Sequence, residues 1–531
     1  MIGSARLFAT ADLGAATTAV ALVGRVGDGF RLLGARAGPR GVPAELLLEL
    51  LADRIRAADP ALARDLGLEP GVVTDLPRLE ARARRPRTVA ILCATGRVLA
   101  PLADAVARSG WRRVEATADR HDVRQMTAKL LDPAVTVALV AAGDPPGGDE
   151  RGALQELTAV AGAAALRRPD LIVVLAGAPA RTPSRLGLPP ERVVVAGETP
   201  SGGTWGHVES VLADLHRAAG DGRDRAALAA AGLAGALGRR VELLDVGHDA
   251  GLRATAWPGL AAGSGQVLAV ESAEAALVPP GLDDARLDLI QGWSTLALDR
   301  HRTRDRLLEL RARPWAGMSG DGVRLRLAAA RAGLERLMEL TSELDAVPAP
   351  DLIVMTGGTL ASAPPGAALL ALADVRRRPA AVSVAVDHAR LLGPLGTVAD
   401  PVERDLLVGE LAADLLLPLG SVVMPARLRR GRHGGQVIVD GAAGHSVVNL
   451  EPGALEVVSQ PPGREAVVRI EAHDPLQLGG HGRRISVGVA GGLAGVLVDL
   501  REIPLHLPER RELRRELLER WERAVAPEGA R

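Results

Sequence analysis

Apolar residues recur along this chain with two different periods, and the changes from one to the other mark out its elements. Short, nearly continuous apolar runs bounded by Gly, Asp and Pro read as buried strands, whereas longer stretches with apolar residues three or four apart read as helices. The first strong signal is Phe8 to Gly24, FATADLGAATTAVALVG, where one apolar strand runs into Asp12-Leu13-Gly14 and a second leaves it. It predicts a tight hairpin, with a third strand over Phe30 to Ala37. The design returns later: Arg239 to Gly247, RRVELLDVG, matches Arg6 to Gly14, RLFATADLG, the aspartates lying 245 − 12 = 233 residues apart. Strands over Leu252 to Trp257 and Gln266 to Glu271 follow it. A repeated meander predicts a duplicated α/β lobe whose two acidic loops close on one ligand. A third element, Asp351 to Leu360, DLIVMTGGTL, is an apolar strand ending in Gly357-Gly358 before a helix pattern.

Between these landmarks the periods alternate. Pro43 to Ala58 predicts a helix with Leu46, Leu47, Leu50, Leu51 and Ile55 on its packed face, and the Pro- and Arg-rich stretch Asp59 to Pro86 predicts a surface connection. From Thr88 to Ala196 strands and helices take turns, which predicts a parallel sheet covered on both faces. A helix over Val208 to Ala219 and the punctuation Gly220-Asp221-Gly222 close the first half. Helical patterns over Arg286 to Ala312, Leu325 to Leu344, Gly366 to Ala373 and Glu403 to Leu417 fill the second, with a strand over Val382 to Asp387. From Gly420 short strands separated by Gly, Pro and Asp turns predict a small, mostly β domain. Its tail, Glu509 to Ala526, predicts a charged helix striped by Leu513, Leu517, Trp521 and Val525. The expected division is a first lobe with an inserted α/β segment over 1–222, a second lobe over 223–419 and the β-rich part over 420–531.

Composition narrows the function classes. At 531 residues with 47% hydrophobic and 24% charged residues, the chain is globular and long enough for two or three cores. Basic and acidic residues balance to +0, so nothing electrostatic argues for nucleic acid or an anionic membrane. Gly, Pro and charges interrupt every long apolar run, and the opening segment lacks a signal pattern, so a cytoplasmic, non-membrane protein is expected. Cys93 is the sole cysteine, which removes intrachain disulfides, Cys-based zinc sites and Fe-S ligation. Lys129 is the sole lysine, so P-loop, protein kinase and PLP chemistry lack their essential amine. Asp214, His216 and Gly220 sit near the D-x-H-x-x-G spacing of a base-off cobalamin site, but one residue too far apart and within a helix. No cobalamin site is therefore assigned.

The candidate chemistry lies in the repeated Asp-x-Gly turns. Glycine admits positive φ and turns backbone N–H groups toward an anion, and the aspartate can hold a hydrated Mg²⁺ beside it. Together with TGG, these turns resemble the phosphate-1, phosphate-2 and adenosine motifs of the actin, Hsp70 and sugar kinase (ASKHA) superfamily. Within it the chain is most similar to the glutamate mutase L family, the MutL-type accessory proteins of B12-dependent mutases. The likeness includes PDLIVVLAG (Pro169 to Gly177), DHARLLGPLGT (Asp387 to Thr397) and ADLLLPLGSVVMP (Ala413 to Pro425).

The resemblance implies a two-lobed actin-like ATPase fold of ribonuclease H-like lobes, an α/β architecture, with ATP and Mg²⁺ between them. Asp12 and Asp245 would be the catalytic and metal-facing carboxylates. Gly14 with Thr17 or Thr18 would form the first phosphate clasp, Gly247 the second, and Thr356, Gly357 and Gly358 would meet the nucleoside. His248 stays open between a phosphate ligand and a solvent-facing turn residue. The implied partners are subunits of an adenosylcobalamin-dependent carbon-skeleton mutase, the cobalamin being bound by them and not by this chain. Three departures weaken the phosphate grip: Ala15 replaces a hydroxyl residue, Ala19 a frequent lysine, and Asp249 brings a carboxylate that would repel a γ-phosphate. Three readings therefore stay open: a chaperone-like accessory ATPase, a small-molecule kinase of the same superfamily, and a pseudo-ATPase scaffold.

Overall fold

The computed structural model describes residues 5–83, 88–109, 111–143, 146, 148–197, 205–218, 222–273, 275–279, 282–428 and 434–526. The Gly220-Asp221 punctuation lies outside them. The chain forms two compact units, one made of 1–83, 222–270 and 275–531, the other of 84–221 and 271–274.

The first unit opens with β1 (Leu7–Leu13), β2 (Thr17–Val26), β3 (Gly29–Pro39) and β4 (Arg78–Arg82), in the order β3-β2-β1-β4. β2 is antiparallel to both β1 and β3, and β4 is parallel to β1. β4 corrects the expectation of a mere connection over Asp59 to Pro86. It is an edge strand with only Leu79 and Ala81 buried, too short a run to stand out among arginines. The helix Ala44–Ala58 packs on this sheet, but through Leu47, Leu48, Leu51, Ala52 and Ile55. Leu46 and Leu50, expected on that face, are exposed, because the true stripe follows the three- and four-residue steps from Leu47 and Leu48.

The second unit carries β5 (Thr88–Cys93), β6 (Arg112–Thr117), β7 (Val135–Ala142), β8 (Ile172–Gly177) and β9 (Val193–Val195). All are parallel, in the order β6-β5-β7-β8-β9, which is the doubly wound 2-1-3-4-5 arrangement. Val89, Ile91 and Cys93 feed one core and Ala90 and Leu92 the other, as a sheet covered on both faces requires.

The first unit resumes with the helix Gly222–Leu237, then β10 (Val241–Val246), β11 (Gly251–Pro258), β12 (Gly265–Ala273), β13 (Leu352–Thr356), β14 (Ala380–Asp387) and β15 (Leu416–Met424). There follow β16 (Gly435–Gly441), β17 (Gly444–Asn449), β18 (Leu455–Val458), β19 (Glu465–Gln477), β20 (His481–Ala490) and β21 (Val496–Asp499). The second large sheet runs β12-β11-β10-β13-β14-β15-β21-β18, and β17-β16-β19-β20 form a separate antiparallel sheet. β10 pairs antiparallel with β11 and parallel with β13, as β1 does with β2 and β4. The order 3-2-1-4 is thus built twice. The fold is the two-lobed α/β fold of the actin, Hsp70 and sugar kinase superfamily, with duplicated ribonuclease H-like lobes.

One core joins the two lobes. It runs from Phe8, Val23 and Phe30 on the first sheet, through Leu233 and Leu411, to Leu243 and Val354 on the second. Leu233 belongs to Gly222–Leu237 and Leu411 to the helix Pro401–Leu415. The former is so rich in alanine that it has little amphipathic contrast, and the sequence pattern passes over it. The predicted helix over Glu403 to Leu417 ends at Leu415, where the chain turns extended into β15. Pro401–Leu415 also protects the β3 edge: Glu410 accepts from the Phe30 N–H at 2.8 Å, and Asp414 from the Leu32 N–H at 3.0 Å and from Arg31. The tail helix Arg511–Ala524 seats Leu518, Trp521 and Val525, while Leu513 of the expected stripe is exposed.

Candidate functional site

Both acidic turns lie in the first unit, and strand register brings them together. β1 ends at Leu13 and β2 starts at Thr17, with Asp12 opposite Ala19, so the turn between them is short. A Cβ at Gly14 would sit 2.8 Å from the Thr17 carbonyl oxygen, a contact that favours glycine there. In the second turn the Gly247 N–H donates to the Ala250 carbonyl at 3.0 Å and closes the hairpin between β10 and β11. Parallel pairing of β10 with β13 sets Asp245 opposite Thr356, so the Gly357-Gly358 turn emerges beside that carboxylate. Gly357 has φ of +92°, open to glycine at little cost. A Cβ on Gly358 would lie 3.3 Å from Thr17 Oγ1, so the turn of the second lobe reaches the first acidic loop.

These elements line one cleft. Asp12, Gly14, Thr17, Asp245, Gly247, His248, Thr356, Gly357 and Gly358 all face it. Thr18 does not: it is buried within β2, and Thr17 is the hydroxyl of the pair that the cleft presents. His248, left open by the sequence, is among the lining residues. Asp249 is corrected. Its side chain is buried and its Oδ1 lies 3.0 Å from Arg311 Nη2, so it is turned into the protein and neutralised there.

Sequence reasoning missed a cation and carboxylate set on the same cleft, namely Arg82, Arg326, Asp387 and Arg390. Asp387 ends β14 and has no exposed surface. Its Oδ1 accepts from the Leu391 N–H at 2.9 Å, its Oδ2 from the Leu392 N–H at 3.0 Å, and the Thr356 hydroxyl lies 3.4 Å from Oδ2. Burial raises the Asp387 carboxyl above its ordinary value against the pull of those two amides. The turn it pins carries Arg390, a non-glycine residue at φ of 55°. Arg390 Nη1 donates to Thr17 Oγ1 at 2.6 Å and lies 3.5 Å from Asp12 Oδ2. Arg326, on the helix Gly320–Leu340, donates from Nε to Thr359 Oγ1 at 3.1 Å. Burial first, and then the charge of Arg390, depress the Arg326 guanidinium. The signal available in the sequence was D-H-A-R within Asp387 to Thr397, where an arginine follows a strand-ending aspartate by three residues.

Among the described residues, no three His, Cys, Asp or Glu side chains gather closely enough to hold a metal ion by themselves. Also among them, no helix is long and apolar enough to cross a membrane.

No protein-family model matches the chain, and no curated protein matches it by sequence. Among solved structures it is similar to the ROK hexokinase of Thermus thermophilus, at 16% identity over 77% of this chain and 99% of that one, with a TM-score of 0.23. It is similar also to a ROK family glucokinase from Streptomyces griseus solved with glucose and AMPPNP, at 14% identity, 77% and 98% coverage and a TM-score of 0.28. A chain of the PilM-PilN type IV pilus biogenesis complex matches at 15% identity, 77% and 98% coverage and a TM-score of 0.23. Scores of that size add nothing to the strand order. The topology alone carries the fold.

Proposed function

We propose that this chain binds Mg²⁺·ATP in the cleft between its duplicated lobes. We further infer that it acts as an accessory protein to an adenosylcobalamin-dependent carbon-skeleton mutase, lobe closure serving to assemble or reactivate that partner. The carrying observation is the register that sets Asp245 beside Thr356 and Gly357 while Gly358 abuts Thr17 of the opposite lobe. Both acidic turns and the Gly357-Gly358 turn line the one cleft, and glycine keeps the first turn tight, since a Cβ at Gly14 would meet the Thr17 carbonyl oxygen at 2.8 Å. Asp12 and Asp245 fit a magnesium ion that keeps water and phosphate oxygens as its other ligands, which is how Mg²⁺ is usually bound. The bound ion would neutralise phosphate charge, and the chain's own part is to hold and orient the nucleotide. The cobalamin would stay with the partner, as the resemblance to the glutamate mutase L family implies.

The kinase reading needs a carboxylate base beside the nucleotide. Asp387 is occupied by two amides and Asp249 by Arg311, which favours the accessory role over small-molecule phosphorylation. Ala15 and Ala19 favour a second reading, a scaffold that binds nucleotide without turnover. Calorimetry with ATP and Mg²⁺ tests the first step, and Asp12→Ala should abolish the heat of binding. Phosphate release separates ATPase from scaffold. Recovery of mutase subunits with the native protein, dependent on ATP, tests the partner. No ATP binding by the intact chain would remove the whole reading.

A further inference from the structure

The first phosphate loop carries alanine at positions 15 and 19, so it offers neither a hydroxyl nor an ammonium there. The cleft is nevertheless rich in cation. Arg390 and Arg326 are both buried and both line it, close enough for one charge to disfavour the other. Two guanidiniums set near each other away from water form a place where an anion is favoured, and Asp12, 3.5 Å from Arg390, already lies on it.

Arg390 stands where three motifs meet. Besides Thr17 Oγ1 at 2.6 Å and Asp12 Oδ2 at 3.5 Å, its Nη1 lies 3.6 Å from the Cβ position of Gly358 and 3.9 Å from that of Gly14. One atom therefore bonds the first acidic loop and faces the glycine turn of the other lobe. The scaffold goes to some length to put it there. The residue sits in the left-handed region, where an L side chain is disfavoured, and a fully buried carboxylate grips the two amides that follow it. Such a backbone is kept where the side chain must be aimed.

We propose that Arg390, with Arg326 beside it, receives the terminal phosphoryl group of a polyphosphate ligand, so that the cleft distinguishes a triphosphate from a diphosphate. The inference rests on the nucleotide reading above and deepens it. A guanidinium presents a planar fork that matches phosphate oxygens two at a time. A terminal phosphoryl adds charge and acceptors that a diphosphate lacks, and it can share Arg390 with Thr17 and Asp12. Arg390 would then report the γ-phosphate to both lobes.

The test is calorimetry with ATP·Mg²⁺, ADP·Mg²⁺ and inorganic tripolyphosphate on the intact chain, its Arg390→Gln and Arg390→Lys variants, and Arg326→Gln. A hydrogen bond to a charged group corresponds to a change on the order of 10- to 100-fold. Arg390→Gln should therefore weaken ATP by about that factor while changing ADP by less than about threefold. Arg390→Lys, which keeps the charge and loses the fork, should fall between, and Arg326→Gln should also bring the ATP and ADP affinities closer. Equal loss for ATP and ADP in Arg390→Gln, or no loss for either, overturns the assignment. Ligand-free melting of each variant shows whether it folds, and Arg390→Lys decides the matter if Arg390→Gln does not. Tripolyphosphate separates the two readings. If the wild type binds it in an Arg390-dependent way but takes no nucleotide, the arginine site stands and the ATP reading fails. If it binds neither, both fail.

Discussion

A Cβ on Gly357 would lie 2.5 Å from Oδ1 of Asp245, closer than side chains approach in folded proteins. The Gly357-Gly358 turn and the second acidic turn are therefore fitted to each other at one glycine, which also has a positive φ. Gly357→Ala should destabilise the first unit by about 1–2 kcal/mol from the left-handed backbone alone and should push Asp245 off its position. Nucleotide affinity should fall with it. Gly358→Ala is the control, since its Cβ meets Thr17 Oγ1 at 3.3 Å and carries no positive φ. It should leave urea unfolding nearly unchanged and lower affinity only. Wild-type nucleotide binding by Gly357→Ala would show that the two turns do not share a ligand.

The strand that delivers Asp245 is anchored by an ion-pair network three residues earlier. Glu242 is buried between Arg253, at 2.6 Å, and Arg376, at 3.0 Å, and Arg253 also reaches Asp345 at 2.8 Å. Burial pulls the Glu242 carboxyl upward, but the charges of Arg376 and Arg253 outweigh it and hold the group below its ordinary value. A carboxyl whose folded value is depressed adds stability above the unfolded value, near pH 4.3, and that stability is lost as pH falls through the folded one. Glu242→Gln should cost about 3–5 kcal/mol near neutral pH, because it takes the buried carboxylate from Arg376 and leaves Arg253 with Asp345 alone. The gap from wild type in urea midpoints should close as the pH is lowered below about 4. A gap that does not change with pH would remove Glu242 from the account.

How much of this was legible in the sequence depends on the distance over which each signal acts. The two Asp-x-Gly hairpins and the Gly357-Gly358 turn are local, so their composition showed them before any strand pairing was known. The alternation of strand and helix over Thr88 to Ala196 was equally plain, since both periods are read within single elements. β4 was not visible, because five residues with two buried side chains carry no period of their own. Nor was the site role of Arg390 or Arg326. In a chain with 64 basic residues an arginine carries no signal, and its partners Thr17 and Asp12 lie more than 370 positions away from Arg390. The apparent conflict at Asp249 failed for the same reason, its partner Arg311 being 62 positions on.

The sole cysteine is a probe of the second unit. Cys93 has no exposed surface at the end of β5, and burial, with the nearby charges of Asp119, Glu115 and Glu150, pushes its thiol up to about 12. The thiolate is the reactive form, so native protein near neutral pH should resist a thiol reagent and label only when the α/β unit opens. Labelling rates followed through a urea series therefore report that unit alone. A Trp fluorescence transition that precedes the labelling transition would show the first unit unfolding independently. Rapid labelling without denaturant would mean that β5 is not held as described.

The tail helix is tied to the second lobe by charge as well as by apolar contact. Asp374, fully buried, accepts from Arg501 Nη1 at 2.7 Å, and its Oδ2 lies 2.9 Å from Arg331 Nε. Arg331 reaches on to Glu522 of the tail helix at 2.8 Å, and Arg501 lies 4.3 Å over the Trp521 ring. Arg331 is on the same helix as Arg326, so this network fixes the element that supplies one of the cleft's cations. Trp521→Ala removes a buried indole and its stacking under the Arg501 guanidinium, which should cost about 3–5 kcal/mol. Asp374→Ala should cost about as much by a different route, leaving two buried arginines without their shared carboxylate. Because Arg331 and Arg501 both depend on Asp374, the double variant should lose less than the sum of the two single losses. Urea midpoints of the four proteins measure the coupling, and strict additivity would mean that the tail helix is held by its apolar stripe alone.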